Sequence, residues 1–455
     1  MSSTASARPD ELRPRPLPAA DPGLRIPKAT VDDVDRLADQ AADILAKARE
    51  AALEPNARKT LRRFSLTEVA TLLGVSTKTI QRGLKTGELP QGERAPGNRL
   101  LFTLEQVHAL QDRLGLSPAR DPATDKPVII AIANFKGGVG KTSTTVHLAQ
   151  YFALRGYRTL AIDLDAQASL TTLFGLLPDS EVPTEQTALP YLEGSATELP
   201  VQRTHWARLD LIPANLSLYG AEFALANRQN TEPNFRFYRA LSLGLEPLLP
   251  TYDVVVIDTP PSLSYVTMNA LYAATGLLVP VPPAMMDFAS ANLFFSLLAD
   301  ILKTVDRAEG GQKVYDFLGL LISQYEAGNV IHQTIHDWVR AAFQNRVLLN
   351  NMGKSAALRV GPEMLTAYEL TANQANRRTL VRALEYLAGV NGEIERMVRA
   401  QWASNPLRRS TAVRLAAPSS SGSSTNTRFP PSTGSAKSVA VITTSRGATD
   451  VWYSS

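Results

Sequence analysis

Residues 128–154 read VIIAIANFKGGVGKTSTTVHLAQYFAL, and this stretch decides the fold class. It opens on a continuous apolar, largely β-branched run, the pattern of a strand buried on both faces. It closes on STTVHLAQYFAL, which reads as a helix. Between them stands Lys136-Gly137-Gly138-Val139-Gly140-Lys141-Thr142. A glycine-rich turn between a buried strand and a helix aims successive backbone N–H groups at one point. The helix N-terminus adds its dipole there, so the point favours phosphate. Lys141 then brings charge to the β/γ-phosphates of a nucleotide, and the Thr142 hydroxyl can ligate Mg²⁺.

Around this stretch, apolar runs recur as TLAIDLD, LDLIPA, YDVVVIDT, GLLVPVP and FLGLLISQ, with helical stretches between them. Such alternation argues a parallel sheet covered by helices on both faces. TLAIDLD places Asp163 and Asp165 at the end of an apolar strand, where ligands and Mg²⁺ collect in open α/β sheets, and YDVVVIDT is apolar up to Asp258. Two carboxylates at the end of one strand are, taken by themselves, better read as ordinary turn residues.

The usual phosphate-loop pattern has Gly five residues before Gly140; here Phe135 stands there, followed by a second lysine, Lys136. This departure resembles the deviant Walker A motif, KGGxGK[ST], of the ParA/MinD ATPases. TLAIDLDAQAS resembles that family's DxDPQ element, with Ala166 in place of the usual Pro, and YDVVVIDTPPS matches its IDxPPS segment. The resemblance implies a P-loop NTPase that uses ATP and Mg²⁺. Nucleotide would be held by Lys136, Gly137, Gly138, Val139, Gly140, Lys141, Thr142 and Ser143. Asp165 would position the attacking water, and Thr142, Asp163 and Asp258 would support the metal. Lys136 would cross a nucleotide-sandwich homodimer to the partner's phosphates, making Lys136, Lys141 and Asp165 the catalytic set. No Asn/Thr-Lys-x-Asp guanine motif is present, so ATP is favoured over GTP.

Ahead of this ATPase, residues 64–116 read as a DNA module. Ser65-Leu66-Thr67-Glu68 is a capping box, and Ala70, Gly74 and Ile80 are spaced as a helix-turn-helix requires. Ser76 can cap the second helix, whose exposed Thr77, Lys78, Thr79, Gln81, Arg82 and Lys85 suit phosphates and base edges. ELPQGERAPGNRLLF looks like a two-stranded wing carrying Arg99, and Thr103 and Gln106 cap a following helix. The arrangement resembles a MerR-like winged helix and the N-terminal module of the larger ParA proteins, including plasmid RepA partition proteins.

The bulk numbers fit this division. At 455 residues the chain is long enough for two or three domains, with 44% hydrophobic and 20% charged residues. The net charge is only +4, yet residues 58–120 hold 11 Lys/Arg against 5 Asp/Glu, an excess that suits a polyanion. Residues 328–417 hold 12 against 6. There the resemblance implies nonspecific DNA contacts by the ATP dimer, with Arg340, Lys354 and Arg359 as candidates beside Arg346, Arg377 and Arg378. Cysteine is absent, which excludes disulfides and thiolate metal sites. No continuous apolar run of about 18 residues and no signal-peptide core is read, so a cytoplasmic, nucleoid-associated protein with no membrane partner is expected.

The expected domains are a disordered lead over 1–30, a helix in 31–57, a winged helix-turn-helix over 58–116, and a Pro/Asp linker over 117–126. A ParA-type ATPase follows over 127–410, then a disordered tail over 411–455. The apolar stripe of the first helix must pack back on the chain or pair with a second copy. The expected function is ATP-driven segregation of a plasmid or other low-copy replicon, with a ParB/RepB-type centromere-binding partner and operator binding by the N-terminal module. The alternative is a transcriptional repressor that senses nucleotide without productive turnover. A MinD-like membrane role would need a C-terminal amphipathic helix, and the Ser/Pro tail does not read as one.

Overall fold

The structure is a computed structural model that describes residues 30–52, 59–97, 99–118, 120–359, 364–371 and 374–405. Apart from Thr30, the segments expected to be disordered, 1–30 and 411–455, lie outside these residues, as does most of the join after the first helix. The chain divides into a unit ending at Ala57 and a unit beginning at Arg58. In the first unit, α1 (Val31–Ala52) carries Val34, Leu37 and Ile44 exposed, and Thr30 donates its backbone N–H to Asp33 Oδ2 at 2.8 Å to start the helix.

The second unit begins with β1 (Phe64–Ser65), α2 (Leu66–Leu73), α3 (Thr77–Thr86), β2 (Glu93–Ala95), β3 (Arg99–Phe102) and α4 (Leu104–Arg113). The Ser65/Glu68 capping box forms, Gly74 turns the chain in the left-handed region at φ 68°, and Ser76 caps α3 through the Thr79 N–H. Only glycine takes such a φ without strain, which is why the turn sits there. Ala70 and Ile80 are buried between the helices, and β2 and β3 pair antiparallel as the wing, with β1 adding a third strand.

The α/β part contains β4 (Val128–Ile132), α5 (Lys141–Leu154), β5 (Thr159–Asp163), α6 (Ser169–Leu173), α7 (Pro178–Glu181) and α8 (Leu189–Glu193). It continues with β6 (Gln202–Arg203), β7 (Leu209–Ile212), α9 (Gly220–Thr231), α10 (Ala240–Leu245), β8 (Val254–Asp258) and α11 (Tyr265–Ala273). Last come β9 (Gly276–Val281), α12 (Met285–Glu309), β10 (Phe317–Ile322), α13 (Val330–Phe343) and α14 (Arg377–Arg399). Seven strands form one sheet in the order β10-β9-β4-β8-β5-β7-β6, parallel throughout except for the short edge pair β6–β7. Every residue of β4, β5, β8 and β9 is buried, which explains their continuous apolar reading. Register sets Ile132 opposite Asp258 and Asp258 opposite Asp163, so both carboxylates stand side by side at the carboxyl ends of the central strands.

The DNA module and the α/β part share a core. One apolar cluster runs from Phe64, Ile80, Phe102 and Leu110 into Phe152, Tyr157 and Leu387. Polar contacts reinforce it at the C-terminal end of α5, where helix carbonyls lack partners of their own. The His108 Nε2–Ala153 O distance is 2.8 Å, Gln111 Nε2 donates to Arg155 O at 2.9 Å, and Arg155 Nη1 donates to Leu72 O at 3.0 Å. The Pro/Asp segment 117–126 is tied down as well: Arg120 is buried, donating to Asp253 Oδ1 at 3.1 Å and to Asp125 O at 2.7 Å.

One helix departs from the expectation about membranes. By length and composition α12 could cross one, at a mean hydropathy of 1.4. In this fold it is a flanking helix that buries Ala291, Phe294, Leu298 and Val305 and packs against β9. Its apolar residues are interrupted by Asp287 and by charges in the last three turns, so no unbroken apolar run announces it in the sequence.

Candidate functional site

The glycine-rich loop leaves β4 and enters α5 with Gly140 as its cap, at φ 97°; Gly138 is also left-handed, at φ 74°. A Cβ on Gly138 would meet nothing within 4 Å, so that glycine is there for conformation and not for space. The loop is held from outside by residues the sequence did not mark. Asn134 accepts from the Lys136 N–H at 3.0 Å and donates to Pro280 O at 2.9 Å. At the end of β10, Ser323 Oγ donates to Val139 O at 2.8 Å and Gln324 Nε2 donates to Gly138 O at 2.7 Å. The only forewarning was their place at a strand's carboxyl end.

Lys141 is buried, and its Nζ donates to the Lys136 carbonyl at 3.0 Å. Burial pulls its pKa down, and the charges of Asp258 and Asp165 offset part of that. Asp163 is buried and accepts from the Thr171 N–H at 2.8 Å, the Thr171 hydroxyl at 2.7 Å and the Asp165 N–H at 3.1 Å. Asp258 accepts from the Thr145 hydroxyl at 3.1 Å through Oδ1, while its Oδ2 is buried without a hydrogen-bond partner. Burial raises the pKa of both carboxyls, and each is pushed further up by the other's charge or its neighbour's, Asp163 on Asp258 and Asp165 on Asp163. A buried carboxylate oxygen with no donor beside a second carboxylate is the chemistry a cation satisfies. Among the described residues no three His, Cys, Asp or Glu are grouped so as to hold a metal ion by themselves, so a cation here would complete its shell with Thr142, water and phosphate oxygens.

Asp165 is half-buried and accepts from the Gln167 N–H at 3.0 Å, at the start of the turn into α6. Lys136 does not point free into solvent: its Nζ lies 2.8 Å from Asp287 Oδ1, in the first turn of α12. Phe135, where the common loop has glycine, sits 4.7 Å from the Phe294 ring in the α12 core. Thus the loop residues Lys136–Ser143, Asp163, Asp165 and Asp258 come together around the carboxyl ends of β4, β5 and β8.

The proposed DNA residues lie elsewhere. On α3, Lys78, Thr79, Gln81, Arg82 and Lys85 are exposed and Thr77 is half-exposed; Arg99 is exposed at the start of the wing strand β3. The C-terminal candidates differ in kind. Lys354 and Arg359 are exposed, Lys354 beside Glu326 at 2.5 Å. Arg340 instead donates to His336 Nε2 at 3.0 Å and to Leu348 O at 2.6 Å, so its guanidinium clamps the end of α13 and is not a free cation for DNA.

Two further basic residues are interior. Lys59 Nζ donates to Glu369 Oε2 and to Leu173 O, both at 2.7 Å. Glu369 also accepts from the Thr366 N–H at 2.8 Å and the Trp206 indole at 3.1 Å, and lies 2.6 Å from His205 Nε2. Burial alone would raise the Glu369 pKa, but the His205 hydrogen bond and the Lys59 charge bring it down to about 2. Lys59 and Arg120 both counted toward the basic excess of residues 58–120, and the fold withdraws them from the surface.

Comparison with known proteins agrees with this architecture. Residues 63–114 match a helix-turn-helix domain family, and residues 128–308 match an AAA domain family. The chain is 38% identical over 364 residues to a putative replication protein A of Sinorhizobium fredii, covering 76% of this chain and 89% of that protein. It is 33% identical over 364 residues to protein SopA of Escherichia coli, covering 76% and 92% respectively. A solved structure described as a partition protein superposes with a TM-score of 0.58 at 21% identity, over 80% of this chain and 98% of that one, and so shares the fold.

Proposed function

We propose, on the premise that this chain belongs to the ParA-type partition ATPase family, that it hydrolyses ATP to ADP and phosphate in a cycle that segregates a plasmid or another low-copy replicon. The supporting observation is the convergence of Lys141, Asp165, Asp163 and Asp258 on a glycine-rich loop at the N-terminus of α5. The likeness to replication protein A and SopA, covering about three-quarters of this chain and nearly all of each relative, adds weight.

In this reading the backbone N–H groups from Gly137 to Thr142 cradle the phosphates, and Lys141 exchanges the Lys136 carbonyl for a phosphate oxygen. Bound Mg²⁺ would neutralise charge on the β- and γ-phosphates, with Thr142 and Asp258 holding it and Asp163 supporting the same face. Asp165 orients the attacking water. Lys136 crosses to the phosphates of a second copy, which ties turnover to dimerisation. Exposed residues of α3 and Arg99 of the wing read an operator, while Lys354 and Arg359 contribute to nonspecific DNA binding by the dimer. A centromere-binding protein of the ParB/RepB type then stimulates hydrolysis and release from DNA. The protein acts in the cytoplasm, on the nucleoid.

Lys141→Ala tests the site. Turnover is expected to fall by about 10²-fold or more with the thermal midpoint preserved. Retained turnover would sink the scheme. Wild-type turnover that stays at background with DNA and partner, while nucleotide still alters operator binding, would favour a nucleotide-sensing repressor.

A further inference from the structure

Lys136 is the loop residue whose side chain is read as acting in another subunit, yet in this chain it is held at home. Its Nζ lies 2.8 Å from Asp287, with the lysine side chain 37% exposed and the carboxylate 12% exposed. Asp287 stands in the first turn of α12, where the helix dipole stabilises a carboxylate and fixes its place. The preceding loop residue, Phe135, packs on Phe294, about two turns further along the same face of that helix. The entry to the phosphate loop is therefore moored to α12 twice, once by an aromatic contact and once by an ion pair. Only the ion pair can open without unpacking the core. The Lys136 main chain is fixed separately, its N–H on Asn134, which is itself held by Pro280 O, so the side chain can swing while this anchor keeps its place.

We infer that Asp287 is a positioning residue for Lys136: it holds the lysine in cis against α12, and this bond must open before Lys136 can reach the nucleotide of a second copy. The inference rests on the reading of Lys136 as a trans-acting lysine. It adds that dimer closure has a built-in threshold, set by a partly buried ion pair that ATP-dependent contacts must replace. Met285 and Met286 beside Asp287, and Leu293 further along α12, are exposed, so the region that would face an approaching copy is apolar around the ion pair.

The test is binding of a fluorescent, slowly hydrolysed ATP analogue to the full chain with Mg²⁺, at several protein concentrations. Wild type, Asp287→Asn, Lys136→Gln and the double variant are compared. A partly screened ion pair of this kind predicts that Asp287→Asn tightens apparent binding by about two- to fivefold. In the Lys136→Gln background the same change should have no effect, because there is no lysine to release. Melting of the nucleotide-free variants reports separately on whether α12 keeps its place, and the binding comparison uses only variants that melt as one cooperative transition. No tightening, or equal tightening in both backgrounds, overturns the inference. If Lys136→Gln alone leaves analogue binding and its dependence on protein concentration unchanged, the trans reading itself fails, and the cis hold falls with it.

Discussion

Glu369→Ala should be among the most destabilising single substitutions in this chain. The carboxylate is 2% exposed and the Lys59 side chain facing it is 5% exposed. Removing Glu369 strips an acceptor from Lys59, His205, Trp206 and the Thr366 N–H at once, leaving Lys59 only the Leu173 carbonyl. The two partners are not equal. Burial pulls the Lys59 pKa down despite Glu369, so the ammonium gives up more hydration than its partner returns, whereas Glu369 is over-supplied with donors. The intact pair therefore adds little net stability, and its disruption is what costs. Leaving a buried charge uncompensated is worth about 3–5 kcal/mol, against a total domain stability of about 5–15 kcal/mol. Lys59→Met should cost less, about 1–2 kcal/mol, because the carboxylate keeps three donors and no cation is stranded. Urea unfolding followed by far-UV circular dichroism and by intrinsic tryptophan fluorescence measures both. The network joins the segment leading into the DNA module to α6 and the C-terminal part, so both probes should report one transition. A loss below about 1 kcal/mol for Glu369→Ala, or separate transitions for module and ATPase, would refute the shared core.

Other substitutions and conditions probe the same architecture. Lowering the pH from 7 to 5 should cost about 1–2 kcal/mol for each of His108 and His147, seen as a falling urea midpoint. Burial, helped at His108 by the Arg208 charge, holds both at about 4, below the ordinary 6.5. Their contribution is thus complete above 6.5 and lost as pH falls toward 4. The depressed Glu369 follows lower, losing its share as pH falls from about 4.5 to about 2. Gly83→Ala would place a Cβ 2.5 Å from Leu89 Cδ1, costing about 1–3 kcal/mol; operator affinity should drop while ATP turnover without DNA persists. Arg120→Ala should cost about 2–4 kcal/mol by stripping Asp253 and the Asp125 carbonyl of a buried donor, and limited proteolysis should then cut within 117–126.

Much of this site is legible in the sequence because its chemistry is local. A strand, a glycine turn and a helix are contiguous, so Lys136 to Ser143 announce themselves, as do the capping residues Ser65, Glu68, Thr103 and Gln106. Strand ends then supply Asp163 and Asp258. What stays hidden is set by strand order and packing. Ser323, Gln324 and Asp287 come from elements more than 140 residues beyond the loop, placed there by the β10-β9-β4 arrangement. Charge counting likewise cannot tell a surface lysine from Lys59, nor a free arginine from Arg340, because burial and carbonyl partners are decided by tertiary contacts.

The most direct test of the account is steady-state ATP turnover by the full chain, with and without DNA and the proposed ParB/RepB-type centromere-binding protein, for wild type and Lys136→Ala. The account predicts that partner and DNA accelerate the wild type and leave the variant at its basal rate. Equal acceleration of both, or a wild type that stays at background under every condition, would contradict it.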